Sequence, residues 1–166
     1  KRECFVSIYD VDTLISQARV LAANYLKMMG KPLPGMSNEI AFNDAARLLQ
    51  LTLTQDQSLS YDAIGSGEGN EGKKVQIKGR MIIDDDNSNQ RIGQVATERE
   101  WDSVVLLLLN AEYEPVEIFE AEREVILENT AKSSEGKKKR GAMSVARFKK
   151  IAKLVWSADT AELPSE

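Results

Sequence analysis

The chain has 166 residues, 42% of them hydrophobic and 29% charged, with a net charge of −4, which suits one globular domain with its own core. It has no histidine, which excludes Ser-His-Asp and Cys-His sites and zinc sites built on histidine; its one cysteine excludes an intrachain disulfide and cysteine-rich zinc modules. Any catalysis must run on carboxylates, amides, lysine, arginine, tyrosine or serine, and any bound metal would be a hard cation held by oxygen.

Asp10 or Asp12 is suited to cap a helix that runs to Met29, with Leu14, Ala18, Leu21, Ala22, Tyr25 and Met29 on an inward face, ended by Gly30 and Pro32. After the turn KPLPGMS, Ser37 or Asn38 caps a second helix that buries Ile40, Ala41, Ala45, Leu48 and Leu49. LSYDAIG (59–65) and KVQIKGRMII (74–83) read as the arms of an antiparallel hairpin around the loop GSGEGNEGK. The loop DDDNSNQ and a short helical segment near Glu98–Trp101 follow. Ser103 to Leu109 is apolar throughout and predicts a central strand buried on both faces.

PVEIFEA alternates as a strand, and Glu122 to Glu128 reads as a short helix. Ser144 caps a last helix with Val145, Phe148, Ile151, Ala152 and Val155 inward. The expectation is a mixed α/β (α+β) domain, a small central mixed sheet of about four to five strands flanked by helices. Residues 1–35 supply an N-terminal helix packed on the core, 36–156 form the domain with a mobile basic linker at 132–143, and 157–166 form a frayed tail. The longest apolar run, Val104 to Leu109, is too short to span a bilayer, and the first residues lack the pattern of a signal peptide. With the lone Cys4, an idle terminal thiol, this predicts a cytoplasmic protein with no membrane partner.

Charge is segregated. Glu98 to Glu128 holds ten acidic and two basic residues, whereas Lys132 to Lys153 holds nine basic and one acidic. The run Lys137, Lys138, Lys139 and Arg140 suits a phosphate backbone, and a solvated charge run explains it equally well. Two motifs fail on context. Gly67, Gly69 and Gly72 satisfy G-x-G-x-x-G, but a strand follows where a dinucleotide fold needs a helix. Asp84–Asp86 open like a calcium loop, but Asn89 and Val95 stand where glycine and glutamate belong.

Strand alternation puts Gln76 and Lys78 on one face of the second hairpin arm, and the hairpin brings Asp62 to the same patch. Glu39 lies near the start of the second helix. These residue types suit metal-assisted phosphodiester hydrolysis. Asp62, the Gln76 side-chain oxygen, the Ile77 carbonyl and Glu39 are the candidate ligands to Mg2+ or Mn2+. Lys78 orients the attacking water or stabilises the transition state. Lys74 and Arg80 would hold flanking phosphates; Arg91, Gly93 and Gln94 would help shape a cleft, and a simple loop-to-helix junction explains those three equally well. For Gln76 and Lys78 taken alone, the wet face of a strand is the better explanation.

The order Glu39, Asp62, Gln76-Ile77-Lys78, followed by a buried strand, an alternating strand and a closing helix, resembles the PD-(D/E)xK restriction-endonuclease-like superfamily over roughly Met36 to Trp156. Tyr61 stands where the family name has proline, and Gln76 replaces the usual acid, as in the Mrr-like branch. The resemblance implies a restriction-endonuclease-like fold and a Mg2+-dependent DNA endonuclease of restriction, defence or repair type. Two other readings are a catalytically inactive relative that binds nucleic acid or joins a larger complex, and a protein-interaction domain docked through PVEIFEAERE. A homodimer would suit an enzyme that cuts both strands, but no interface is legible in the sequence.

Overall fold

The computed structural model describes residues 8–82, 90–131 and 143–161. Among them, six strands form one mixed sheet in the order β1 to β6: β1 (Leu51–Leu53), β2 (Ala63–Gly65), β3 (Lys74–Met81), β4 (Ser103–Leu109), β5 (Pro115–Glu122) and β6 (Lys153–Ser157). Only β3 and β4 pair in parallel, with Gln76 beside Val104 and Lys78 beside Leu106. The other neighbours are antiparallel. Helices α1 (Ile8–Met29) and α2 (Met36–Leu49) precede the sheet, α3 (Arg123–Ala131) and α4 (Val145–Ile151) lie between β5 and β6, and the single turn α5 (Ala158–Ala161) follows. The mixed α/β architecture expected from the sequence is the one observed.

β4 divides the core. Val105, Leu107 and Leu109 point to the α1/α2 face, where they join Ile40, Ala41, Ala45, Val75, Ile77 and Ile118. Val104, Leu106 and Leu108 point the other way, to Ile92, Trp101, Phe119, Ile126, Val145 and Phe148. A strand covered on both faces has no use for a polar alternation, which is why SVVLLLL is apolar at nearly every position. Val75, Ile77 and Met81 of β3 belong to the first face, so Gln76, Lys78 and Arg80 face the second.

Close approach of α2 to β3 explains Gly79. A Cβ there would lie 2.5 Å from both the Ala41 Cβ and the Ser37 carbonyl oxygen. The helix rests on the strand through two small residues. A partly buried ion pair fixes α1 to α2: Arg19 Nη2 lies 2.7 Å from the Oδ1 of the buried Asp44, and the same guanidinium donates to the Tyr113 carbonyl in the β4–β5 turn. Among the described residues no helix is long and apolar enough to cross a membrane.

Several expectations are corrected. Leu14, Leu21 and Met29 of α1 are exposed; of the expected inward face Ala22 is buried as expected and Ala18 and Tyr25 are half-buried, and the helix packs through Ala22 together with Arg19, Ala23 and Leu26. α2 starts at Met36 behind Gly35, which is left-handed, so Ser37 and Asn38 lie in its first turn and do not cap it. The first hairpin arm is ordered as a strand only over Ala63–Gly65, and Asp62 sits in a bend just before it. Residues 97–99 form a turn where a helix was expected. α4 ends at Ile151 because Ala152 is extended, and Val155 lies in β6 with its side chain exposed. β1 and β6 raise the strand count above the four or five expected. Met143, assigned to the basic linker, is buried against the second face. Residues 132–142, Cys4 and Asp84–Asp86 lie outside the described residues.

Candidate active site

β2 pairs with β3 only at Lys74 and Val75. Beyond that point β2 peels away, and the N–H and C=O groups of Ile77 and Gly79, which point to the same edge of β3, lose their strand partner. Two side chains take over the donors. Asp62 Oδ2 accepts the Ile77 N–H at 2.7 Å, and Asn38 Oδ1 accepts the Gly79 N–H at 3.0 Å. The Asp62 backbone N–H meanwhile donates to the Val75 carbonyl at 2.9 Å, which fixes the residue at the fork. A chain leaving a sheet needs a short polar acceptor at this position, and aspartate supplies one.

Asp62 and Lys78 face each other electrostatically. Burial pushes the Asp62 carboxyl above its ordinary value of 3.8, while the Ile77 N–H and the Lys78 charge hold it down in part. Burial likewise lowers the Lys78 ammonium below 10.5, with Asp62 opposing and Arg80 adding to the fall. The pair is therefore a partly desolvated acid and base at one fork. A surface ion pair would show neither shift.

Gln76 lies on the same face of β3 as Lys78 and is 4% exposed. Its Nε2 is buried with no hydrogen-bond partner among the described residues. An amide buried in this state carries a cost of about 1–3 kcal/mol. A half-turn about its last torsion would present the oxygen in place of the nitrogen. Asp62, the Gln76 oxygen and the Ile77 carbonyl form a donor set of one charge and two neutral oxygens. By their chemistry these oxygens would suit a hard cation such as Mg2+.

The other sequence candidates fall elsewhere. Glu39 is exposed in the first turn of α2, on the helix layer opposite the Gln76–Lys78 face. Among the described residues no three acidic or thiol side chains converge into a metal-binding group. Arg80 donates to the carbonyls of Arg91 (2.7 Å) and Gly79 (2.6 Å) and approaches Asn38 at 3.5 Å. Its guanidinium thus fastens the 90–93 segment to β3. Lys74 pairs with Glu100 at 3.1 Å and lies over the Tyr61 ring. Arg91 and Gln94 are exposed. Lys137, Lys138, Lys139 and Arg140 lie outside the described residues. Trp101 is core, with its Nε1 donating to the Ala96 carbonyl.

Sequence reasoning missed Asn38. Its neighbour Glu39 drew attention as a carboxylate, but the residue of α2 that touches β3 beside the fork is the amide one position earlier. The available signal was a polar side chain two residues before the buried pair Ile40-Ala41.

No protein-family model and no curated protein matches the chain.

Proposed function

We propose that the protein is a Mg2+-dependent nuclease that hydrolyses DNA phosphodiester bonds, a cytoplasmic endonuclease of restriction, defence or repair type. The observation that carries this reading is the partly buried Asp62–Lys78 pair at the β2–β3 fork, with the unsatisfied Gln76 amide on the same face of β3. Its order along the chain, Asp62 and then Gln76-Ile77-Lys78, also resembles PD-(D/E)xK nucleases.

Asp62, the Gln76 oxygen and the Ile77 carbonyl would hold the cation. When bound, it supplies a water of lowered pKa and neutralises charge on the phosphate. The Ile77 N–H keeps the Asp62 carboxylate in one orientation, so that its other oxygen stays available. Lys78 places an ammonium beside the scissile phosphate, where partial desolvation strengthens its pull on the charge that builds in the transition state. Arg80 and Asn38 hold the edge of β3 and so position Lys78.

A second reading, a nuclease-like domain that binds nucleic acid without cutting it, is favoured by one observation: among the described residues Asp62 is the one carboxylate hydrogen-bonded to β3 at the fork, and no three acidic side chains converge there. Nicking of supercoiled plasmid separates the two. Wild-type protein is expected to nick with Mg2+ and not with EDTA, and Asp62→Ala and Lys78→Ala are expected to lose about 100-fold or more. Equal nicking by all three proteins overturns the site. Salt-dependent DNA binding without Mg2+-dependent nicking favours the second reading.

A further inference from the structure

β3 presents Lys74, Gln76 and Lys78 on one face, so the Lys74 side chain stands on the face of the fork, about 13 Å along the strand from Lys78. Its backbone is clamped: the Lys74 N–H donates to Asp102 Oδ2 and the Lys74 carbonyl accepts the Asp102 N–H, each at 2.8 Å. The Lys74 ammonium lies 5.6 Å from the centre of the Tyr61 ring, next in the chain to Asp62, and 3.1 Å from Glu100 Oε2. The two ends of this ion pair differ. The Lys74 side chain is 30% exposed and braced by the ring, whereas the Glu100 side chain is 83% exposed. An exposed pair of this kind contributes little to stability and separates at small cost.

We propose that Lys74 exchanges Glu100 for a backbone phosphate of the DNA at the fork, so that Lys74 is a substrate contact and Glu100 its built-in competitor. The incoming group must be an anion, because it replaces a carboxylate on an ammonium. A phosphodiester that flanks the scissile one on the same face of β3 meets this need without any change in the strand. Asp102 stays in place through the exchange, because its carboxylate holds the Lys74 backbone N–H. Glu100 thus keeps the ammonium on station and, by the same contact, subtracts from the affinity for every DNA strand. The proposal rests on the reading of the fork as a DNA site, and not on cleavage there.

Anisotropy of a fluorescein-labelled DNA duplex in EDTA reads this contact without cutting. Glu100→Gln is expected to tighten binding about threefold, and Lys74→Gln to weaken it about threefold. With Lys74→Gln already present, Glu100→Gln should add nothing, since the competitor has lost the cation it competes for. Adding Lys74→Gln to Glu100→Gln should also flatten the dependence of log K on log salt by about 0.9, the mark of one phosphate contact. Glu98→Gln, which removes another exposed carboxylate of the same segment, should leave binding unchanged. The thermal unfolding of each single variant should match the wild type, because the pair is exposed. A gain from Glu100→Gln that persists beside Lys74→Gln, or that Glu98→Gln matches, overturns the proposal. Wild-type binding indifferent to both Glu100→Gln and Lys74→Gln overturns this contact alone. A wild type that neither binds the duplex nor nicks plasmid overturns the reading of the fork, and the contact with it.

Discussion

The Asp62 carboxylate accepts the Ile77 N–H at 2.7 Å where β2 leaves β3, so one side chain closes the sheet ladder and faces Lys78 at the same time. The two roles can be separated. Asp62→Asn keeps an oxygen for the Ile77 N–H and loses the charge; Asp62→Ala loses both. Urea unfolding is expected to show Asp62→Asn within about 0.5 kcal/mol of wild type and Asp62→Ala weaker by about 1–2 kcal/mol. Both are expected to be inactive in nicking. Equal stability of the two variants would mean that the hydrogen bond carries no structural weight.

The same pair gives a signed pH dependence. Burial raises the Asp62 pKa above 3.8, so between 3.8 and that higher value the folded state keeps a proton that the unfolded chain has released. Stability of the wild type relative to Asp62→Asn must then fall as pH rises through this window. Lys78 has the opposite sign: its pKa is below 10.5, the folded state releases its proton first, and stability rises with pH between the lowered value and 10.5. Because the Lys78 charge holds Asp62 down, Lys78→Ala should move the Asp62 midpoint further up. A carboxyl NMR titration of Asp62 in wild type and Lys78→Ala checks it: an unchanged midpoint would show that the two groups are not coupled, and a downward shift would contradict the sign.

Gly79 is required by packing. A methyl group there meets Ala41 and the Ser37 carbonyl at 2.5 Å, so Gly79→Ala should cost about 1–3 kcal/mol by pushing α2 off β3. Thermal unfolding reads the loss. Nicking should fall as well, because Asn38 reaches the strand beside the fork from the same helix turn.

The Gln76 amide is where the donor set is weakest in charge. Gln76→Glu adds a carboxylate beside Asp62, which should lower the Mg2+ concentration for half-maximal nicking by about tenfold, since each added ligand charge tunes affinity on this scale. In the absence of metal, the same variant should be less stable than wild type, because it buries a second acid next to the first. A Mg2+ requirement unchanged by Gln76→Glu would place the amide outside the cation's reach.

Much of the fold was legible because β4 is apolar without interruption and β5 alternates, patterns that only buried and half-buried strands produce. β1 and β6 were not. β1 has three residues, and KLVWS satisfies the helical stripe of α4 as well as it satisfies a strand; pairing with β5 and the extended Ala152 decide the matter. The stripe on α1 was read as inward, and only part of it is: Ala22 is buried whereas Leu14, Leu21 and Met29 are exposed, because periodicity reveals a face and not what covers it. At the site, the hairpin brought Asp62 toward Lys78 as its register requires. The role of Asn38 and the engagement of Arg80 with Arg91 depend on where α2 and the 90–93 segment settle against β3, which no local pattern encodes.

In the proposed mechanism the fork holds a divalent cation through Asp62. Titration of the 15N-labelled protein with Mn2+ reads this out, since the ion broadens amide signals near it. Broadening centred on Asp62, Gln76, Ile77 and Lys78, displaced by excess Mg2+ and abolished by Asp62→Asn, is the expected result. Broadening centred on Asp84–Asp86 with the fork untouched, or a fork signal that survives Asp62→Asn, would contradict it.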